Sequence, residues 1–125
     1  MSTTEPREPI VAADGSSVRE LAHPAWSTAE GLSLAEATVR PGESTFLHLH
    51  RTSEEIYLFQ AGAGRMQLGD EEFAVSAGSC VVIAPGTPHK LWCEGREALV
   101  LLCCCAPAYS EADTELLESS EVDYP

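Results

Sequence analysis

The sequence predicts a single all-β domain, an antiparallel sandwich or barrel, and three observations lead there. Short stretches that alternate apolar and polar residues, or run continuously apolar, recur along the chain. Gly- and Pro-centred turn signals separate them about every eight to twelve residues. No stretch sustains a helical period. At 125 residues, 44% of them hydrophobic, the chain is long enough to bury a proper core and of a size for one domain.

Residues 1–17 (MSTTEPREPIVAADGSS) keep no period and read as a flexible N-terminal arm, with a short strand at Ile10 to Ala12. Val18 to Trp26 contains LAHPAW, whose Pro24 argues against a helix interior. Gly31 to Val39 (GLSLAEATV) alternates as a strand and closes at the turn Pro41-Gly42. Phe46 to His50 is a short strand, Arg51 to Ser53 a loop, and Glu55 to Gln60 a strand of β-branched and aromatic residues. Strands at Arg65 to Leu68 and Glu72 to Val75 follow, set off by turns at Gly62-Ala63-Gly64, Gly69-Asp70 and Ala77-Gly78. Cys80 to Ala84 (CVVIA) is continuously apolar and is expected to be fully buried. The turn Pro85-Gly86-Thr87-Pro88 leads to a strand at His89 to Cys93, and Ala98 to Cys105 (ALVLLCCC) is a second buried strand. The folded domain is expected over residues 18–107. Residues 108–125 carry six acids (Glu111, Asp113, Glu115, Glu118, Glu121, Asp123) and no base, which reads as a solvated acidic tail. Ser110 is placed to N-cap one helical turn running to Leu117.

Seven basic residues stand against 20 acidic ones, a net charge of −13. Such a surface repels phosphate backbones and anionic membranes, so neither nucleic acid nor membrane is an expected partner. No apolar run approaches the ~20 residues of a bilayer span, and the start (MSTTEPREP) is not a signal segment. A cytoplasmic location is therefore expected. The five cysteines fit it as reduced thiols. Their odd number and the run Cys103-Cys104-Cys105 argue against disulfides, and alternate facing along a strand argues against a structural zinc cluster. They read as small buried apolar side chains.

The chemistry concentrates in Gly42 to Gly62, GESTFLHLHRTSEEIYLFQAG. His48 and His50 share one face of a strand, ~6.6 Å apart along it, a separation that suits two imidazoles converging on one cation. Glu55 begins the next strand and can face back beside them. His89 follows a Pro-Gly turn and offers a further ligand. His23 has no partner nearby and reads as structural or exposed. Cys93 shares parity with His89 but lies ~13 Å further along, beyond ligand reach, and reads as an apolar pocket wall. Phe46, Tyr57, Phe59, Met66 and Leu91 suit a cavity wall or the core, and Arg65 and Gln67 suit the surface.

These residues resemble the cupin pattern. Its first motif, G(X)5HXH(X)3–4E(X)6G, is matched at every position by Gly42, His48, His50, Glu55 and Gly62. In its second, G(X)5PXG(X)2H(X)3N, Gly78, Gly86 and His89 fall in place, while Ala84 and Cys93 stand where the family has Pro and Asn. The resemblance spans roughly Gly31 to Cys105. It implies a cupin-type double-stranded β-helix, or jelly-roll barrel, with one divalent transition metal held by His48, His50, Glu55 and His89. The donor set suits Fe, Mn, Ni, Cu or Zn alike. The resemblance further implies a small oxygen-chelating substrate and dioxygenase, isomerase or decarboxylase chemistry; the alternative is a non-catalytic metal- or small-ligand-binding module. A homodimer paired through the N-terminal segment is expected on the same ground. Glu54 is the nearest carboxylate available to orient a ligand, and no residue stands out as a general base.

Overall fold

The computed structural model describes residues 3–118. Eleven strands follow in chain order: β1 Ile10–Val11, β2 Ser17–Ala22, β3 Ser33–Val39, β4 His48–His50, β5 Glu54–Ala61, β6 Ala63–Leu68, β7 Glu71–Ser76, β8 Cys80–Ile83, β9 His89–Glu94, β10 Leu99–Ala106 and β11 Thr114–Leu116. They form two sheets in which every pairing is antiparallel, in the orders β1-β2-β3-β10-β5-β8 and β11-β4-β9-β6-β7. The fold is an all-β jelly roll, a double-stranded β-helix. Among the described residues the only helical segment is a 3₁₀ turn, Glu111–Asp113, and no helix is long and apolar enough to cross a membrane.

Period-two alternation places the core. Along β5, Glu55, Tyr57 and Phe59 are buried while Glu54, Ile56, Leu58 and Gln60 are exposed. On β9, His89, Leu91 and Cys93 face in; on β10, Leu99, Leu101 and Cys105 do. Phe59, Met66, Ile83, Leu99 and Leu101 are the most completely enclosed apolar side chains, sealing one part of the interior and leaving the other to histidines. Gly62 carries the chain from β5 in one sheet to β6 in the other at a φ of +83°, and a Cβ there would run into the Ala98 carbonyl. Both features demand glycine at this position.

Two expectations are corrected. Cys80–Ile83 is not fully buried: β8 is the outer strand of its sheet, with Ile83 at 2% exposure and Val82 at 57%. Continuous apolarity there marks one core face and one apolar outer face, a distinction the strand's own sequence does not carry. The second correction concerns the acids after Pro107. The 3₁₀ turn is not continued to Leu117; instead Thr114–Leu116 adds to the edge of β4, with Thr114 opposite His50 and Leu116 opposite His48. The Asp113 carboxylate accepts hydrogen bonds from the Thr52 amide, the Thr52 hydroxyl and the Ser53 amide. Glu118 accepts from the Leu47 amide and from Lys90 at 2.6 Å. These acids clasp a segment read as solvated. Glu121 and Asp123 lie outside the described residues.

The N-terminal segment lies along the same six-stranded sheet. Ile10 and Val11 pair with Val18 and Ser17, the Thr4 hydroxyl donates to the Leu21 carbonyl, and the Arg7 guanidinium sits over the Trp26 ring.

Candidate metal centre

His48 and His89 are direct cross-strand partners on β4 and β9, which brings their ring centroids to 4.3 Å. His50 lies two residues on along β4, its ring 5.3 Å from that of His48 and 5.5 Å from that of His89. Glu55 reaches in from β5 of the other sheet and sets Oε1 3.3 Å from His50 Nε2 and 3.4 Å from His89 Nε2. All four side chains are buried. One ring nitrogen from each histidine lies within 4.8 Å of the others.

The Nδ1 atoms are committed elsewhere. Those of His48 and His89 meet the carbonyls of Phe46 and Thr87 at 2.7 and 2.8 Å, and a carbonyl only accepts, so each Nδ1 carries the proton. That of His50 meets the Thr114 hydroxyl at 3.0 Å, whose own proton goes to the Ser110 carbonyl at 2.9 Å. Thr114 therefore accepts, and His50 also donates from Nδ1. Every Nε2 is left with a lone pair aimed inward, the tautomer a metal-binding imidazole needs.

Among the described residues nothing hydrogen-bonds to those lone pairs. Glu55 Oε1 and His89 Nε2 are buried without a hydrogen-bond partner, an arrangement that costs about 1–3 kcal/mol per group when nothing compensates it. Donor atoms on one ion at ~2.0–2.2 Å sit about 3–4 Å apart, as Glu55 and its two neighbours do. The three histidines fit a divalent cation, with Glu55 Oε1 beside two of them. Electrostatics favour a charged Glu55 carboxylate and a neutral His48, while the same carboxylate draws a proton toward His50 until a cation replaces it. Burial and the nearby His89 lower the pKa of His48. Burial opposes charge on His50 as well, but Glu55 outweighs it and raises the pKa. Burial alone would raise Glu55; His50 and His89 instead hold it well below the ordinary carboxylate range.

Several supporting groups escaped the sequence. Cys105, register partner of Glu55, donates its thiol to Glu55 Oε2 at 3.1 Å. Burial, with the Glu55 charge adding to it, pushes that thiol far up, so it remains a donor and not merely a small apolar filler. His23 accepts the Ala25 amide on Nδ1 and holds the Tyr109 carbonyl at 2.9 Å on Nε2, while the Tyr109 ring packs edge-on against His50 at 5.9 Å. Its role is structural. Asp14 brings a carboxylate oxygen to 3.8 Å from His48 Nε2. Glu54, by contrast, is exposed on the outer face of β5 and orients nothing here. Its position is a correction to its reading as an orienting group, and alternation with Glu55 is the reason.

The histidines open onto a cavity whose wall includes Asp14, Thr45, Tyr57, Leu91, Cys103 and Tyr109. Phe59, Met66 and Cys93 sit in the closed core instead; Cys93 directs its sulfur to the Glu97 carbonyl at 3.3 Å. Arg65 pairs with Glu72 at the surface.

A family model described as a cupin domain matches residues 35–105. The chain is 48% identical, over 111 residues and 89% of each chain, to an uncharacterized protein of Methanocaldococcus jannaschii. Among solved structures it resembles the oxalate decarboxylase of Lactobacillus farciminis in its formate complex, with a TM-score of 0.76 and 25% identity. That match covers 89% of this chain and 33% of the other, so the chain spans about a third of that enzyme. It also resembles Streptomyces PAC13 with uridine, with a TM-score of 0.72, 16% identity and coverage of 90% and 85%. This second likeness shows the fold.

Proposed function

The chain belongs to the cupin domain family, and from that premise we propose that it is a metal-dependent cupin acting on a small substrate that chelates through adjacent oxygens. His48, His50, Glu55 and His89 hold one divalent transition metal, one of Fe, Mn, Ni, Cu or Zn. The observation that carries this reading is the set of inward Nε2 lone pairs facing the orphaned Glu55 Oε1 at the base of a cavity. A bound divalent ion supplies Lewis acidity toward a chelated carbonyl or hydroxyl, or a meeting point with dioxygen. Isomerase, decarboxylase and dioxygenase chemistry all draw on that supply. The protein's part is to fix the ligands through the carbonyls of Phe46 and Thr87, the Thr114 hydroxyl and the Cys105 thiol, and to wall the substrate with Tyr57, Leu91 and Tyr109.

The open cavity supports ligand access over a purely structural ion, which would be enclosed by protein donors. A panel of hydroxy-ketones, enediols and 2-oxo acids, incubated with metal-loaded protein under air and under nitrogen, tests the reading. Turnover is expected that disappears in His50→Ala. Binding without turnover across the whole panel, at full metal loading, would leave a non-catalytic binding module.

A homodimer is part of the same proposal. β1 and β8 are the outer strands of the larger sheet, and Ile10, Val11, Ile56, Leu58 and Val82 are exposed on or beside them. Sedimentation at micromolar concentration is expected to give twice the chain mass. Free thiols at all five cysteines support a cytoplasmic location.

A further inference from the structure

Asp14 has no place in the ligand set, yet it is held more firmly than a loop acid needs to be. The turn that carries it is closed by the Ala12 amide to the Ser16 carbonyl and by the Gly15 amide to the Ala12 carbonyl. Its own carbonyl accepts the Phe46 amide at 2.8 Å, and the Phe46 ring lies against Gly15. Both the amide and the hydroxyl of Ser16 donate to Oδ1, at 3.0 and 2.6 Å. Oδ1 is saturated, whereas Oδ2 accepts no hydrogen bond among the described residues and points to His48 Nε2 at 3.8 Å. The side chain is 16% exposed. An anchored oxygen is thus presented, with its acceptor capacity free among the described residues, to the same cavity as His48, His50 and the buried, unpartnered Glu55 Oε1.

The rest of the wall has one sign. Asp14, Glu20, Glu55 and Glu111 line the cavity, and among the described residues no Lys or Arg does. With neutral imidazoles, a divalent ion and the Glu55 carboxylate leave one net positive charge; Asp14 beside them brings the centre to neutrality. An anionic ligand then makes the centre net negative, with Glu20 and Glu111 on the same wall, while a hydroxyl meets a waiting acceptor.

We propose that Asp14 is a specificity-determining residue, accepting a hydrogen bond from a ligand hydroxyl on Oδ2, and that the site selects uncharged, hydroxyl-bearing oxygen chelators over carboxylate and phosphate anions. The inference rests on the metal-site reading above and narrows it toward hydroxy-ketone or enediol ligands and away from 2-oxo acids.

The probes are glycolamide and glycolate, which share a heavy-atom skeleton and a hydroxyl but differ by one charge. Each is titrated into cobalt(II)-loaded protein while the visible cobalt absorption is followed. In the wild type, the preference for glycolate over glycolamide is expected to fall about tenfold or more below that of aqueous cobalt(II). In Asp14→Asn, glycolate is expected to tighten and glycolamide to weaken, moving the ratio back by about tenfold. A wild-type ratio equal to that of the free ion, or an Asp14→Asn ratio within twofold of wild type, overturns the proposal. The wild-type comparison stands whether or not the variant folds. Failure of the wild type to take up cobalt removes the metal-site reading itself, and this inference with it.

Discussion

At the scale of single residues, the centre depends on groups that aim the ligands as much as on the ligands. Thr114 and Cys105 have no recognisable motif, yet one fixes the tautomer of His50 and the other donates to Glu55. Loss of such outer partners typically weakens metal affinity 10–100-fold. Thr114→Val and Cys105→Val are expected to lose affinity on that scale in competition with a chromophoric chelator, while Thr114→Ser and Cys105→Ser keep most of it. Wild-type affinity in both valine variants would show that these contacts position nothing. His48, His50 and Glu55 were proposable because their spacing is local, two residues along a strand and then a short loop, and His89 because a Pro-Gly turn precedes it. Asp14, Thr114 and Cys105 were not, because each meets its partner 34, 64 or 50 residues away, through a turn for Asp14 and strand register for the other two, which spacing within one segment does not encode.

Among the elements, the crossing from β5 to β6 between the sheets and the added strand β11 carry the most risk. Gly62→Ala combines a left-handed backbone with a Cβ driven into the Ala98 carbonyl. It is expected to cost at least ~2 kcal/mol in urea unfolding of the metal-free protein; a loss below ~0.5 kcal/mol would contradict the packing described. β11 is held by acids. Desolvation is the largest single effect at Asp113 and opposes the shift, but the hydrogen bonds from Thr52 and Ser53 together outweigh it; the Lys90 hydrogen bond leads at Glu118, so both carboxyls sit below their ordinary pKa. A lowered folded pKa gives stability that is present above the unfolded value of ~4 and is lost as pH falls through the folded one. In metal-free protein, intrinsic-rate-corrected amide protection at Thr114–Leu116 is expected to be intact at pH 7 and reduced at pH 3, ahead of the β10 core. Equal protection at both pH values would rule out the clasp. The strand pattern as a whole was legible from turns and alternation. What misled was composition read without topology: CVVIA lies at a sheet edge, and Asp113 and Glu118 found amide and ammonium donors.

For the whole molecule, the metal and the fold should be linked, because the proposed ligands come from both sheets and the buried orphan atoms have no other partner. A ligand bound only by the folded state at a hundredfold excess over Kd stabilises it by ~2.7 kcal/mol, roughly 10 °C in Tm for a domain of this size. Chelator treatment is expected to lower Tm by about that much, and His89→Ala to abolish the difference; an unchanged Tm would mean that the centre and the fold are uncoupled. The surface charge of −13 makes adventitious cation binding a competing source of signal, so stoichiometry decides more than presence. The most direct measurement is therefore elemental analysis of protein purified without an affinity tag, after extensive dialysis, alongside a His48→Ala/His50→Ala double variant. The account predicts a single Fe, Mn, Ni, Cu or Zn ion per wild-type chain and none in the double variant. A metal-free wild type from metal-replete medium, or equal metal in both proteins, would contradict it.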